Sequence, residues 1–202
     1  MNPLYWQGLG LGSSLIVAIG AQNAHVLRMG LLRRYAWQTA AICALCDSIL
    51  ITIGLLGMGA LLASSPALLA VARYGGAAYL AWYALRALRA ATESHALDSE
   101  PNSTVSSWRS ALLTALGFSL LNPHVYLDTV LLLGSIGGRN PWPERMNFGL
   151  GAITASVVWF FCLAGLASLL APWLRRPIIW RAIDLLTAFV MGSLAISLLV
   201  FG

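Results

Sequence analysis

Apolar residues run along this chain in long blocks, and most polar positions fall between the blocks. Six stretches read as spans, at about residues 4–32, 36–63, 67–88, 110–136, 148–170 and 178–201. Crossing a hydrocarbon core takes about 20 apolar residues in a helix, so each block predicts one membrane-spanning helix. Ser64-Ser65-Pro66 and the Gly137–Pro143 stretch are turn-rich breaks between blocks. Residues 89–108 carry Glu93, His95, Asp98, Glu100 and Pro101-Asn102. They form the single hydrophilic loop of any length and separate a first half, 1–88, from a second, 109–202.

Two spans are interrupted by polar residues, the first at Gln22-Asn23 and the fourth at Asn122-Pro123. Asn23 lies ten residues before Arg33, about 15 Å along a helix and half of a ~30 Å core. Asn122 lies thirteen residues after Arg109, about 20 Å by the same rise. Both interruptions therefore fall near mid-membrane. Pro123 lacks an N–H and clashes with the preceding turn, so the carbonyl near residue 119 loses its helical donor. Freed backbone groups persist in a membrane only where protein or water satisfies them.

The interruptions repeat. Asn23-Ala24-His25-Val26-Leu27 matches Asn122-Pro123-His124-Val125-Tyr126 in Asn, His and Val, 99 residues apart. Each half holds three spans, an odd number, so the halves must be inverted relative to one another. Inverted halves with broken helices meeting at the midplane are a transporter architecture. The expected fold is all-α, with six transmembrane helices in two inverted three-helix repeats and helices 1 and 4 interrupted near mid-membrane.

Composition agrees. The chain is 59% hydrophobic and 9% charged, with a mean hydropathy of +0.78, against about 25% charged in soluble domains. Its net charge of +5 comes from twelve arginines and no lysine. These lie singly or in pairs between apolar runs, as in membrane loops, so the basic pI predicts no nucleic-acid partner. Arg33, Arg34, Arg86, Arg89, Arg109, Arg175, Arg176 and Arg181 cluster in odd-numbered loops, which places those loops in the cytoplasm. With six full spans both termini then face out; a segment that re-enters instead of crossing would move one of them. Trp6, Trp108, Trp142, Trp173 and Trp180 sit near span ends, as interfacial anchors do. The N-terminal Met1–Gln7 lacks the basic region of a cleavable signal.

A carboxylate within lipid costs about 2.5–3.5 kcal/mol even on the gentlest scale, so it must pair, protonate or line water. Asp47 lies deep in the second span, Asp128 five residues beyond Pro123, and Asp184 three residues after Arg181. Asp47 and Asp128 could pair with a framework arginine such as Arg28 or Arg73, or form a cation site in a pore. For Asp184 the ready partner is Arg181, one turn away. Arg28 and Arg73 are within reach of an interface and are expected to snorkel. His25 and His124 could bond across helices, relay protons, or serve as two axial haem ligands. Cys43-Ala44-Leu45-Cys46 has CxxC spacing, but no second pair or histidines complete a metal site. No metal and no cofactor are expected. The glycines of the first three spans read as devices for close helix packing.

Three ordered segments carry a resemblance. Gly20-Ala21-Gln22-Asn23-Ala24-His25-Val26-Leu27-Arg28-Met29-Gly30-Leu31, then Cys46-Asp47-Ser48-Ile49-Leu50-Ile51, then Asn122-Pro123-His124-Val125-Tyr126-Leu127-Asp128-Thr129-Val130 resemble the lysine/arginine exporter (LysE) family. The similarity extends over essentially the whole chain, including Gly76–Leu80 and Arg181–Asp184. It implies a transporter, not an enzyme, in the bacterial plasma membrane, exporting a basic amino acid by means of the membrane potential or protons. It points to Asn23, Asp47, Asn122, Pro123 and Asp128 as pathway positions; their placement in the apolar spans adds Gln22 beside them and His25, His124 and Asp184 as secondary or proton-relay candidates. It does not separate arginine from lysine.

The expected mechanism has Asp47 and Asp128 recognising a cationic side chain in an inward-open cavity. The interrupted helices would take the α-amino and carboxylate groups, and rocking of one half would expose the site outward. Exporting one positive charge costs about 2.3 kcal/mol per 100 mV, which exchange for a proton would offset. The partners are thus a small cationic amino acid and the lipid bilayer, and a homo-oligomer is compatible with both. A divalent-metal exporter could use the same carboxylates with amide oxygens, and a haem-binding membrane anchor would use the histidines. An intramembrane hydrolase lacks any serine–histidine or metal motif.

Overall fold

The computed structural model describes residues 2–17, 20–58, 66–92, 107–122, 125–173 and 177–201, and every regular element among them is helical. Helix α1 (Pro3–Ile16) begins where Asn2 caps it, its Oδ1 accepting from the Leu4 N–H at 3.0 Å, with Pro3 in the first turn. Helix α2 (Ala21–Leu31) follows an extended Gly20 and is bent by 77° from α1, the geometry of a broken span or a re-entrant loop. The break thus lies between Ile16 and Ala21. Gln22 and Asn23 were expected to interrupt the helix; they occupy the first turn after the break.

Helix α3 (Ala36–Ile53) starts at Tyr35 and runs into a wide, π-type turn at Gly54–Met58. There Gly57 takes φ +86°, a backbone that a side chain would strain. Helix α4 covers Pro66–Thr92, and α5 covers Trp108–Leu120, capped by Ser107. After Asn122 the chain forms a second wide π-type segment, Tyr126–Leu133, and a short turn, α6 (Gly134–Gly137). Helices α7 (Glu144–Leu170) and α8 (Pro177–Phe201) complete the order.

By length and apolarity, Ala36–Gly57 and Glu144–Leu170 can each cross a membrane, and the bent α1–α2 pair makes a third if it is one span. The outer surface is apolar: Leu113, Leu169 and Phe189 are each about two-thirds exposed or more. The interior instead holds small residues and aromatics together with His25, Arg28, Asp47, Ser119, Asn122, Ser156 and Asp184. Apolar outside with polar groups inside is the distribution lipid selects.

Helices α1 and α2 pack along α7, while α3 packs on α5, the Tyr126–Leu133 segment and α6. Helix α4 lies along α8, and α3 crosses α7. Exchanging the halves leaves this pattern unchanged: first element on second, second on second, third on third. Small residues permit the closest crossings. A Cβ on Gly8 would lie 2.0 Å from the Phe148 carbonyl oxygen, and one on Gly151 equally close to that of Tyr5. Gly54 of the first wide turn meets Gly134, the residue just after the second, where a Cβ on Gly134 would be 2.7 Å from the Gly54 carbonyl. A Cβ on Gly10, by contrast, would meet nothing within 4 Å. Pro123, His124 and most of the 89–108 loop lie outside the described residues, as does the side chain of Arg73.

Candidate functional site

A cavity of about 330 Å³ opens where the α1–α2 break, α3, the end of α5 and the second wide segment converge. Gln22, Asn23, Asp47, Asn122, Asp128 and Thr129 line it together with Ser14 and the apolar Leu15, Ile16, Val125, Leu133 and Leu194. Five of the pathway positions expected from sequence thus share one space. Pro123 falls outside the described residues.

Asp47 is buried, and both its carboxylate oxygens are held by neutral donors. Gln22 Nε2 donates to Oδ1 at 3.2 Å, and the Ser156 hydroxyl donates to Oδ2 at 2.9 Å. The same Gln22 nitrogen donates to Ser119 Oγ at 2.8 Å, whose own hydrogen goes to the Ala115 carbonyl. One carboxylate therefore ties α2, α3, α5 and α7. Among the described residues no arginine pairs with it. A buried anion without a counter-charge is expensive unless something neutralises it.

Asn23 is held at both ends of its amide. Nδ2 donates to the Ile16 carbonyl at 2.9 Å, closing a group left open where α1 stops, and Oδ1 accepts from Trp159 Nε1 at 3.0 Å. The equivalent end of α5 is closed differently: the Tyr126 hydroxyl donates to the Leu120 carbonyl at 2.8 Å. Half-buried Asp128 projects into the cavity from the wide segment that follows, beside buried Thr129.

The secondary candidates are elsewhere. Asp184 does not line the cavity; it is ion-paired with Arg28 of α2, not with Arg181. Arg28 consequently does not snorkel: it is 9% exposed, because α2 turns inward after the break and lays it against α8. His25 Nε2 lies 3.1 Å from the Ala111 carbonyl and so donates to it, and the ring meets Phe118 edge-on. Among the described residues no three His, Cys, Asp or Glu side chains gather as metal ligands.

Ser119, Ser156, Thr129 and Trp159 were not singled out from sequence. Their one legible signal is a hydroxyl or indole at mid-depth of an apolar run, which is common in helices that use it only locally. Leu80, Tyr83, Phe118 and Met191 pack in one buried cluster with cavity-lining Ala21.

A family model described as LysE type translocator matches residues 13–202. The chain is 44% identical to "Arginine exporter protein ArgO" of Serratia proteamaculans (strain 568) over 98% of its length and 97% of that protein's. It shows the same identity to the proteins of that name from Yersinia enterocolitica, over 98% and 97%, and Salmonella schwarzengrund, over 98% and 94%. No solved structure matches the chain.

Proposed function

The chain belongs to the LysE type translocator family, and from that premise we propose that it exports arginine from the cytoplasm across the bacterial inner membrane. The observation that carries this reading is the buried Asp47 carboxylate, held only by neutral donors in a cavity it shares with Asp128. A guanidinium supplies the missing charge and a planar fork of N–H donors that suits carboxylate geometry. The cavity volume of about 330 Å³ lies within the roughly 300–1,000 Å³ of small-ligand sites. Asn122 and Gln22, which line the same cavity, would take the amino-acid backbone. The names of the relatives favour arginine over lysine.

Six spans in two inverted halves are the frame for this reading. The exchange-symmetric packing of the helices supports it, as does the meeting of the two wide turns around Gly54 and Gly134. Transport then proceeds by rocking of the halves about the cavity between them.

Efflux of labelled arginine from proteoliposomes tests the reading in the wild type, Asp47→Asn and Asp128→Asn. At least a tenfold loss is expected in each variant. Full efflux in both would remove the carboxylate site, and efflux of lysine without arginine would overturn the substrate.

A further inference from the structure

Beyond the cavity, one polar contact has no part in the site described so far. Arg28 of α2 and Asp184 of α8 form a buried ion pair. It joins an element of the first half to one of the second. Two chain offsets place it. Asp184 lies ten residues before cavity-lining Leu194 on α8, about 15 Å. Ala111 on α5, which binds His25 one turn from Arg28, lies eleven residues before Asn122, just past the end of that helix, about 16 Å. Both offsets point toward Arg33-Arg34, Arg109 and Arg181, the end that the positive-inside rule assigns to the cytoplasm.

Along the chain Phe118 falls between Ala111 and Asn122, and Met191 between Asp184 and Leu194, so a packed cluster lies at the levels between pair and cavity. Tyr83 and Phe118 stack edge-on with ring centroids 4.7 Å apart, and Leu80 and Met191 are fully buried beside them. A cationic substrate coming from the arginine-rich end would have to pass this plug, and it would meet Asp184 already holding a guanidinium.

We propose that Arg28 and Asp184 form the gate at the arginine-rich end of the bundle, and that their pair breaks each time the cavity opens toward that end. Two further atoms fit this role. Arg28 Nε and His25 Nδ1, one turn apart on α2, are buried without any hydrogen-bond partner. Buried polar atoms left unpartnered destabilise the state that holds them, and water entering an open vestibule would satisfy both. The closed arrangement is therefore held by one strong contact and opposed by two unmet ones, as a two-state element requires. A permanent strut would gain nothing from the unmet pair. The gate's purpose rests on the export reading, but its existence is read from access to the cavity, whatever the substrate.

The test places a reporter, Leu194→Cys, in a chain whose Cys43, Cys46 and Cys162 are replaced by alanine. A membrane-impermeant thiol reagent is applied to each face in turn, using right-side-out and inverted vesicles. In the double variant Arg28→Gln/Asp184→Asn, which leaves no buried unpaired charge, the ratio of labelling from the arginine-rich face to labelling from the opposite face should rise tenfold or more. An unchanged ratio, with or without impaired efflux, makes the pair a structural tie and overturns the gate. Should that variant not accumulate, Arg28→Lys keeps the charge while losing the fork. It should raise the ratio several-fold, and a ratio no higher than the parent's overturns the gate equally.

Discussion

Ser156 of α7 donates its hydroxyl to Oδ2 of Asp47 on α3 at 2.9 Å, deep within the bundle. The contact fixes the carboxylate from the side opposite Gln22, so the two oxygens cannot turn independently. Removing one hydrogen bond to a charged group costs about 1.5–3 kcal/mol, and about 1.4 kcal/mol is tenfold in binding. Ser156→Ala should therefore raise the half-saturating arginine concentration by about tenfold or more in proteoliposome efflux. Ser156→Thr, which keeps the hydroxyl, should recover most of the loss.

Gln22 places an N–H where a substrate donor would also approach Asp47. Gln22→Glu sets a second carboxylate against the first, and like charges in a poorly solvated site repel strongly. Efflux should fall by more than tenfold at unchanged membrane abundance. Near-normal efflux would mean that Asp47 does not meet the substrate from this side.

Asn23 spans the break between α1 and α2. Trp159→Phe removes the donor to its Oδ1 while keeping an aromatic of similar shape. The loss should lie near 1 kcal/mol, or about 2–4 °C in melting temperature for a chain of this size. Asn23→Ala leaves both the Ile16 carbonyl and the indole without partners and should cost roughly twice that. Thermal melts of detergent-purified protein decide the order.

Glycine tolerance should follow contact, not position in the sequence. At Gly151 a Cβ would sit 2.0 Å from the Tyr5 carbonyl oxygen, whereas at Gly10 it meets nothing within 4 Å. Gly151→Ala should lower stability by about 1–3 kcal/mol or more through forced separation of α1 and α7. Gly10→Ala should be neutral or stabilising by up to about 1 kcal/mol, since glycine is a weak helix former. Equal melting points for the two variants would contradict the close α1–α7 crossing.

Much of the cavity wall was legible because charge and amide groups stand out in an apolar chain. Asp47, Asp128, Gln22, Asn23 and Asn122 each violate the hydrophobic pattern, and a violation at mid-depth has few inexpensive explanations. Ser119 and Ser156 violate it too weakly to be noticed, because a hydroxyl can always return its proton to the carbonyl four residues back. Ser119 does so while also accepting from Gln22, and only the approach of α2 to α5 shows that it has a second task. The first break was displaced by a few residues for a related reason. Gln22 and Asn23 looked like interruptions, whereas the chain turns just before them and Asn23 then repairs the end it left.

By itself the sequence determined the membrane character, the helical class, the family and the polar residues that gather around one cavity. The family follows from the resemblance of three ordered segments, and the rest from composition or from residues that lipid would otherwise reject. Tertiary structure alone decided which charges meet. Asp184 found Arg28 across the bundle instead of Arg181 one turn away, and Asp47 found hydroxyl and amide donors instead of an arginine. Neighbours along a helix are set by its 3.6-residue period, whereas partners between helices depend on a 77° bend and on glycine contacts that no local pattern encodes.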